Sequence, residues 1–285
     1  MVIERNVDVG DGRVVRAYDT GGTGTGGTGT SSTGNAPAVL WHHGSPHTGV
    51  PLPPLLSAAA EHGVRLVTYA RPGYGGSTRS PGRDVASAAD DVARVADAVG
   101  LDRFAVLGSS GGGPHALACA ALLRGRVAAA ACLAGLAPFT DAFDWYAGMA
   151  SDGALRSATG GPQARARYGE TEEFDPAVFT DADWTALSGA WRSIGEDAGR
   201  AGDAGQDGLV DDDVAFVRPW GFDPAQIAAP VLLVHGQHDR MVPPAHAEQL
   251  ARQIPGAEVW RRPDDGHVSV LDAVPDALDW LRARF

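Results

Sequence analysis

From residue 36 onward the chain alternates short apolar runs with longer amphipathic stretches. The runs at 38–42, 64–70, 103–108, 127–134, 230–235 and 257–261 are short and mostly apolar, as expected of strands. The stretches near 51–62, 84–99, 113–124, 243–254 and 271–284 carry the helical pattern. Short apolar strands alternating with helices imply a parallel sheet covered on both faces. Ahead of them, residues 2–9 and 13–18 alternate like paired strands about a turn at Gly10-Asp11-Gly12. Thr20 to Asn35 is almost entirely Gly, Thr and Ser, which predicts a flexible connection without a catalytic role.

The alternation stops between Pro138 and Asp223, a stretch with a helical pattern and Gly/Asp-rich gaps. It divides the chain into a core part at 1–137, an inserted helical lid at 138–223 and a second core part at 224–285. The insertion holds Trp145, Trp184, Trp191 and Trp220, candidates for the pocket wall or for the lid's own core. With 17 acidic residues against 6 arginines it carries most of the net charge of -12. One expectation is a negative potential at the pocket mouth that favours neutral or cationic substrates; the other is a solvated acidic surface. A charge of this sign argues against nucleic acid or an anionic membrane as partner.

All 23 basic residues are arginine, so lysine Schiff-base chemistry is excluded. Cys119 and Cys132 sit in apolar alanine-rich runs and read as free buried thiols. There is no apolar run of 18 or more residues and no basic-then-apolar start, so a cytoplasmic location is expected.

The most informative stretch is AVLGSSGGGPHALA at 105–118. An apolar strand meets Gly108-Ser109-Ser110-Gly111-Gly112, and an alanine-rich helix follows. A G-x-S-x-G nucleophile elbow needs this context, because the strand and helix nearly touch two residues either side of the serine. Only Ser110 has glycine at both places, Gly108 and Gly112; Ser109 does not.

A serine hydroxyl needs a base, and the base needs an orienting acid. Asp239 stands just past the strand that ends at His235-Gly236, and His267 follows the last strand within Asp264-Asp265-Gly266-His267. Asp141 is a rival acid shortly after the sixth strand; Asp264 and Asp265 lie too near His267 in sequence to orient it. His42, His43 and His47 lack accompanying Asp, Glu or Cys at ligand spacing, so a metal site is not expected. His43 reads as a turn former and His47 as a possible pocket residue, while His115 reads as packed in the elbow helix and His235 and His238 as supports for the Asp239 loop.

The chain resembles the α/β-hydrolase superfamily over nearly its whole length. Four motifs carry the resemblance: the elbow Gly108 to Gly112; His43-Gly44-Ser45-Pro46, similar to the family's oxyanion turn; Arg71-Pro72-Gly73-Tyr74-Gly75-Gly76-Ser77; and Gly236-x-x-Asp239-x-x-Val242-Pro243 with Gly266-His267. The order Ser110, Asp239, His267 is that of the family. The resemblance implies an α/β-hydrolase fold: a mostly parallel, eight-stranded sheet with helices on both faces and an inserted helical lid. It also implies an oxyanion hole from the backbone N–H groups of Ser45 and Gly111.

The function implied is a serine hydrolase acting on a small-molecule ester, lactone or thioester, with no cofactor. Alternatives on the same three residues are an aminopeptidase resembling proline iminopeptidases and a C–C bond hydrolase or perhydrolase. A binding protein on a hydrolase fold is the non-enzymatic alternative. The position of Ser110 excludes epoxide hydrolases and haloalkane dehalogenases, which need aspartate there. Oligomeric state is not legible in the sequence.

Overall fold

The apolar runs at 38–42, 103–108, 127–134 and 230–235 become strands whose two faces are both covered, while the run at 257–261 becomes a half-exposed edge strand. The computed structural model describes residues 1–21 and 36–285; the glycine-threonine connection expected at 20–35 falls almost wholly outside the described residues. The strands are β1 (Ile3–Gly10), β2 (Arg13–Asp19), β3 (Ala38–His42), β4 (Arg65–Tyr69), β5 (Phe104–Ser109), β6 (Val127–Leu133), β7 (Val231–Gly236) and β8 (Glu258–Arg262). They form one sheet in the order β1-β2-β4-β3-β5-β6-β7-β8. β1 and β2 pair antiparallel, as does β2 with β4, and every other pairing is parallel. Strands β3, β5, β6 and β7 are buried at every residue, which is why they read as unbroken apolar runs instead of alternating ones.

Helices α1 (Pro53–Glu61) and α10 (Val274–Arg282) cover one face, while α2 (Ala88–Ala98), α3 (Gly112–Leu122) and α9 (Ala245–Gln253) cover the other. Val92, Val95, Leu117 and Leu250 pack with Val106 and Leu233 on one side; Leu55, Leu278 and Leu281 pack with Leu107 and Leu232 on the other. Helix α3 is buried on all sides except at its last residue, so its sequence is apolar around the whole circumference instead of along one stripe.

Between β6 and β7 the chain forms α4 (Gly153–Ala158), α5 (Pro162–Gly169), α6 (Asp181–Ser188), α7 (Arg192–Asp203) and α8 (Asp207–Phe216). A third apolar cluster, with Trp145, Val214, Phe216, Trp220 and Val242, joins this segment to the core. From β3 the sheet grows outward on one side to β4 and on the other to β5. Such a reversal opens a crevice at the carboxyl ends of the two strands, where ligands of α/β sheets bind. The turns after β3 and β5 face each other there.

Candidate active site

The elbow follows from steric crowding. A Cβ on Gly108 would run into the backbone carbonyl of Gly112, and one on Gly112 into the carbonyls of His42 and His43. With glycine at both places, β5 and α3 close to backbone contact. Ser110, between them, is forced to φ 51°, a left-handed conformation uncommon for a residue with a Cβ. Ser109 stays in the strand, so Ser110 alone stands at the tip.

Ser110 Oγ lies 3.0 Å from His267 Nε2, and His267 Nδ1 lies 2.8 Å from Asp239 Oδ2. Asp239 Oδ1 accepts hydrogen bonds from the Met241 and Val242 N–H groups at 2.9 and 2.8 Å. Burial pushes the Asp239 pKa up, but the His267 charge and hydrogen bonds from His235 and His267 outweigh it and hold the carboxyl well below the usual range. The ionised carboxylate therefore accepts the Nδ1 proton, which leaves the Nε2 lone pair facing Ser110. Burial pulls the His267 pKa down, yet Asp239 raises it above the ordinary histidine value, with a smaller push from Asp183.

The rival acids stand elsewhere: Asp141 and Asp264 are exposed, and Asp265 pairs with Arg262 at 2.8 Å. Of the two expected loop supports, His235 Nε2 donates to the Val242 carbonyl at 2.7 Å, as foreseen. The His238 side chain is exposed instead, and its residue contributes only a backbone N–H to the Asp265 carbonyl at 3.0 Å.

The turn after β3 is held by side chains that the sequence did not reveal as partners. His43 is buried; its Nε2 accepts from the Arg71 backbone N–H at 3.1 Å, so Nδ1 carries the proton and donates to the Gly44 carbonyl. Arg71 also donates to the His43 carbonyl and, at 2.7 Å, to Ser45 Oγ and to Asp212 Oδ2. Asp212, from α8, further accepts from Ser45 Oγ at 2.5 Å and Tyr74 OH at 2.8 Å, and pairs with Arg83 at 2.6 Å. Burial pushes the Asp212 pKa up, but Arg71 and Arg83 outweigh it and hold the carboxyl well below the usual carboxylate range. His115 packs beneath, its Nδ1 on the Gly111 carbonyl at 2.8 Å. The arginine-glycine stretch of the sequence thus ties a helix of the insertion to the Gly44–Ser45 turn.

Two more carboxylates of the insertion reach the core. Asp197 of α7 accepts from His47 Nδ1 at 3.1 Å and from Thr48 N at 2.9 Å. Asp183 of α6 accepts from the Val268 and Ser269 N–H groups at 2.7 and 2.8 Å, just past His267. The acids of 138–223 divide: Asp183, Asp197, Asp211, Asp212 and Asp213 are buried in hydrogen bonds or ion pairs, whereas most of the others, Glu172, Glu173, Asp175 and Glu196 among them, are exposed. A signal for one of them was present, since Thr180-Asp181-Ala182-Asp183 is a capping-box pattern and forms one. The Asp211-Asp212-Asp213 run gave no comparable signal.

Ser110, His267, Gly44, Ser45, Gly111 and His47 line one cavity of about 880 Å³, roofed by residues of α4 to α8. Of the four tryptophans, Trp184 alone lines it, stacked edge-on against Phe179 with ring centroids 5.3 Å apart. Trp145, Trp191 and Trp220 are instead buried structural residues. Their indole N–H groups donate to the Ala137 carbonyl at 2.9 Å, Asp272 at 2.8 Å and the Phe216 carbonyl at 3.2 Å, which fixes them away from the cavity. Among the described residues, no group of three His, Cys, Asp or Glu side chains could hold a metal ion.

A family model described as the alpha/beta hydrolase fold matches residues 37–274. The chain belongs to that family. Solved structures with the same fold include a thermophilic esterase from Thermogutta terrifontis, 23% identical with TM-score 0.69, covering 99% of this chain and 98% of that one. An enol-lactonase from Burkholderia xenovorans is 20% identical with TM-score 0.70, covering 97% and 99% of the two chains. A bromoperoxidase from Bacillus anthracis is 22% identical with TM-score 0.71, covering 99% and 98%. At such identities the likeness to this α/β hydrolase is one of fold. No curated protein matches the chain. No helix among the described residues is long and apolar enough to cross a membrane.

Proposed function

We propose that this protein is a serine hydrolase that cleaves a small-molecule ester, lactone or thioester through an acyl-enzyme on Ser110. The observation that carries the reading is the unbroken hydrogen-bonded chain Ser110–His267–Asp239, at 3.0 and 2.8 Å, opening into the cavity. In this reading His267 Nε2 takes the serine proton as Oγ attacks the carbonyl, then gives it to the leaving group. Asp239 holds the tautomer and stabilises the imidazolium. The same histidine then activates the water that releases the acid. The backbone N–H groups of Ser45 and Gly111 are assigned to the oxyanion, each worth about 3–4 kcal/mol in the transition state. The network around Asp212 supports the Ser45 donor by holding its turn, and α4 to α8 act as the lid.

A second reading, an aminopeptidase, is favoured by Glu172, Glu173, Asp175 and Glu196 on the cavity wall, which outnumber Arg165 and Arg192. Side-by-side turnover of p-nitrophenyl esters, lactones and aminoacyl-anilides separates the two. Faster anilide cleavage supports the second reading. Ser110→Ala is expected to abolish turnover and labelling by a fluorophosphonate while the fold persists by circular dichroism. Inactivation by Ser109→Ala instead would overturn the assignment, and absence of both turnover and labelling in the natural chain would favour a binding protein.

A further inference from the structure

The cavity wall formed by α5 and α8 carries a charged group that the chemistry above leaves unused. Arg165 is 2% exposed; its Nε donates to Asp213 Oδ2 at 2.6 Å and its Nη2 lies 3.2 Å from Glu172 Oε2. Its Nη1 is buried and has no partner among the described residues. That nitrogen lies beside Gly169, where an added Cβ would stand 3.0 Å from it and nearer still to Gln206 Oε1, and all three residues line the cavity. Arg165, Gly169, Glu172 and Asp213 line the same cavity as Ser110 and His267.

Helix α8 links this pair to the elbow. Leu209, Asp213 and Phe216 follow one another at helical spacing on one face, and all three line the cavity. Phe216 abuts Gly111, where an added Cβ would meet Phe216 Cζ at 3.1 Å. Asp213 therefore lies three residues, roughly 4.5 Å of helix rise, from the residue that touches the elbow.

The charges decide which oxygen the free N–H donates to. Arg165 already faces two carboxylates, so an incoming third would meet Asp213 and Glu172 more than it meets the guanidinium. A neutral oxygen takes the N–H and brings no charge, and it fills the Arg165 donor that has no partner among the described residues.

We propose that Arg165, held by Asp213, forms a polar subsite for a neutral ether, keto or hydroxyl oxygen of the substrate. The protein accordingly prefers oxygen-bearing esters or lactones to alkyl or carboxylate-ended ones. This rests on the reading of Ser110 as the acylated residue.

The test uses isosteric tails. The p-nitrophenyl esters of γ-methoxybutyrate, hexanoate and mono-glutarate are compared by kcat/KM, with a matching series that carries the tail on the alcohol side. The methoxy tail is expected about tenfold ahead of the alkyl tail in one series, with the carboxylate slowest. In R165M/D213L, which removes both charges so that neither is left buried alone, the methoxy-to-alkyl ratio should fall to about one. Because the ratio is taken within one protein, any loss common to both substrates cancels. An alkyl tail equal or faster in both series, a carboxylate tail fastest, or an unchanged ratio in the double variant overturns the subsite and leaves the reading of Ser110 standing. Titration calorimetry of the intact methoxy and alkyl esters against Ser110→Ala decides the subsite even where no ester is turned over; equal affinities overturn it.

Discussion

Asp183 is the residue through which the inserted helices act on the histidine. Its Oδ1 accepts from Val268 N at 2.7 Å, Ser269 N at 2.8 Å and Ser269 Oγ at 3.0 Å, and its Oδ2 accepts from Thr180 N at 2.9 Å. Ser269 Oγ in turn accepts from Gly266 N at 2.8 Å, so both neighbours of His267 hang from this carboxylate. Asp183→Ala leaves the Val268 and Ser269 N–H groups buried and unpaired. At about 1–3 kcal/mol for each of the two orphaned donors, the cost is roughly 2–6 kcal/mol, or a Tm about 3–10 °C lower for a domain of this size. Released at both flanks, the imidazole loses its register on Ser110, and displacements of about 1 Å cost on the order of 10²-fold in rate.

Asp183→Asn separates geometry from charge. Its carboxamide oxygen still accepts from Val268 and Ser269, so Tm and kcat/KM should fall much less than in the alanine variant. The lost negative charge had raised the His267 pKa, so the acid limb of kcat/KM should move to lower pH. Differential scanning calorimetry and pH–rate profiles of the three proteins provide the comparison. An alanine variant with unchanged Tm and rate would refute the reasoning, as would an asparagine variant whose acid limb moves to higher pH.

Other outcomes follow from the same geometry. Asp239→Asn is expected to lower kcat by about 10⁴-fold through the wrong tautomer, whereas Asp141→Asn leaves it unchanged; the reverse pattern in steady-state kinetics would move the acid to the end of β6. In the natural protein kcat/KM should fall on the acid side with an apparent pKa above the unperturbed value of about 6.5, because Asp239 outweighs the burial of His267 and the base must be neutral to accept the serine proton. A profile flat across that range, measured with a substrate whose chemistry is rate-limiting, would remove His267 from the role of base.

Much of the site was legible because its residues obey local rules. The strands that form the middle of the sheet are apolar at every position because both of their faces are covered, and their ends fell within a residue or two of the apolar runs. The elbow was legible because a backbone contact admits only glycine at Gly108 and Gly112, a constraint that no distant residue can relax. Asp239 and His267 were legible because each follows the carboxyl end of a parallel strand, and parallel strands deliver those ends to one edge.

The inserted segment obeyed no such rule. Its net acidity was plain, but the sequence does not say whether an aspartate faces water or a buried arginine, since the partner lies far along the chain. Asp212 and Arg71 are 141 positions apart, and Asp183 and Val268 are 85 apart. A carboxylate buried with partners and one solvated outside are the same letter at the same helical spacing, and only the packing of α6, α7 and α8 on the core distinguished them. The tryptophans divided for the same reason. The sequence by itself determined the sheet, the elbow and the chain order of serine, acid and histidine; the tertiary structure alone decided which acids hold the site together and which charged group was left facing the cavity.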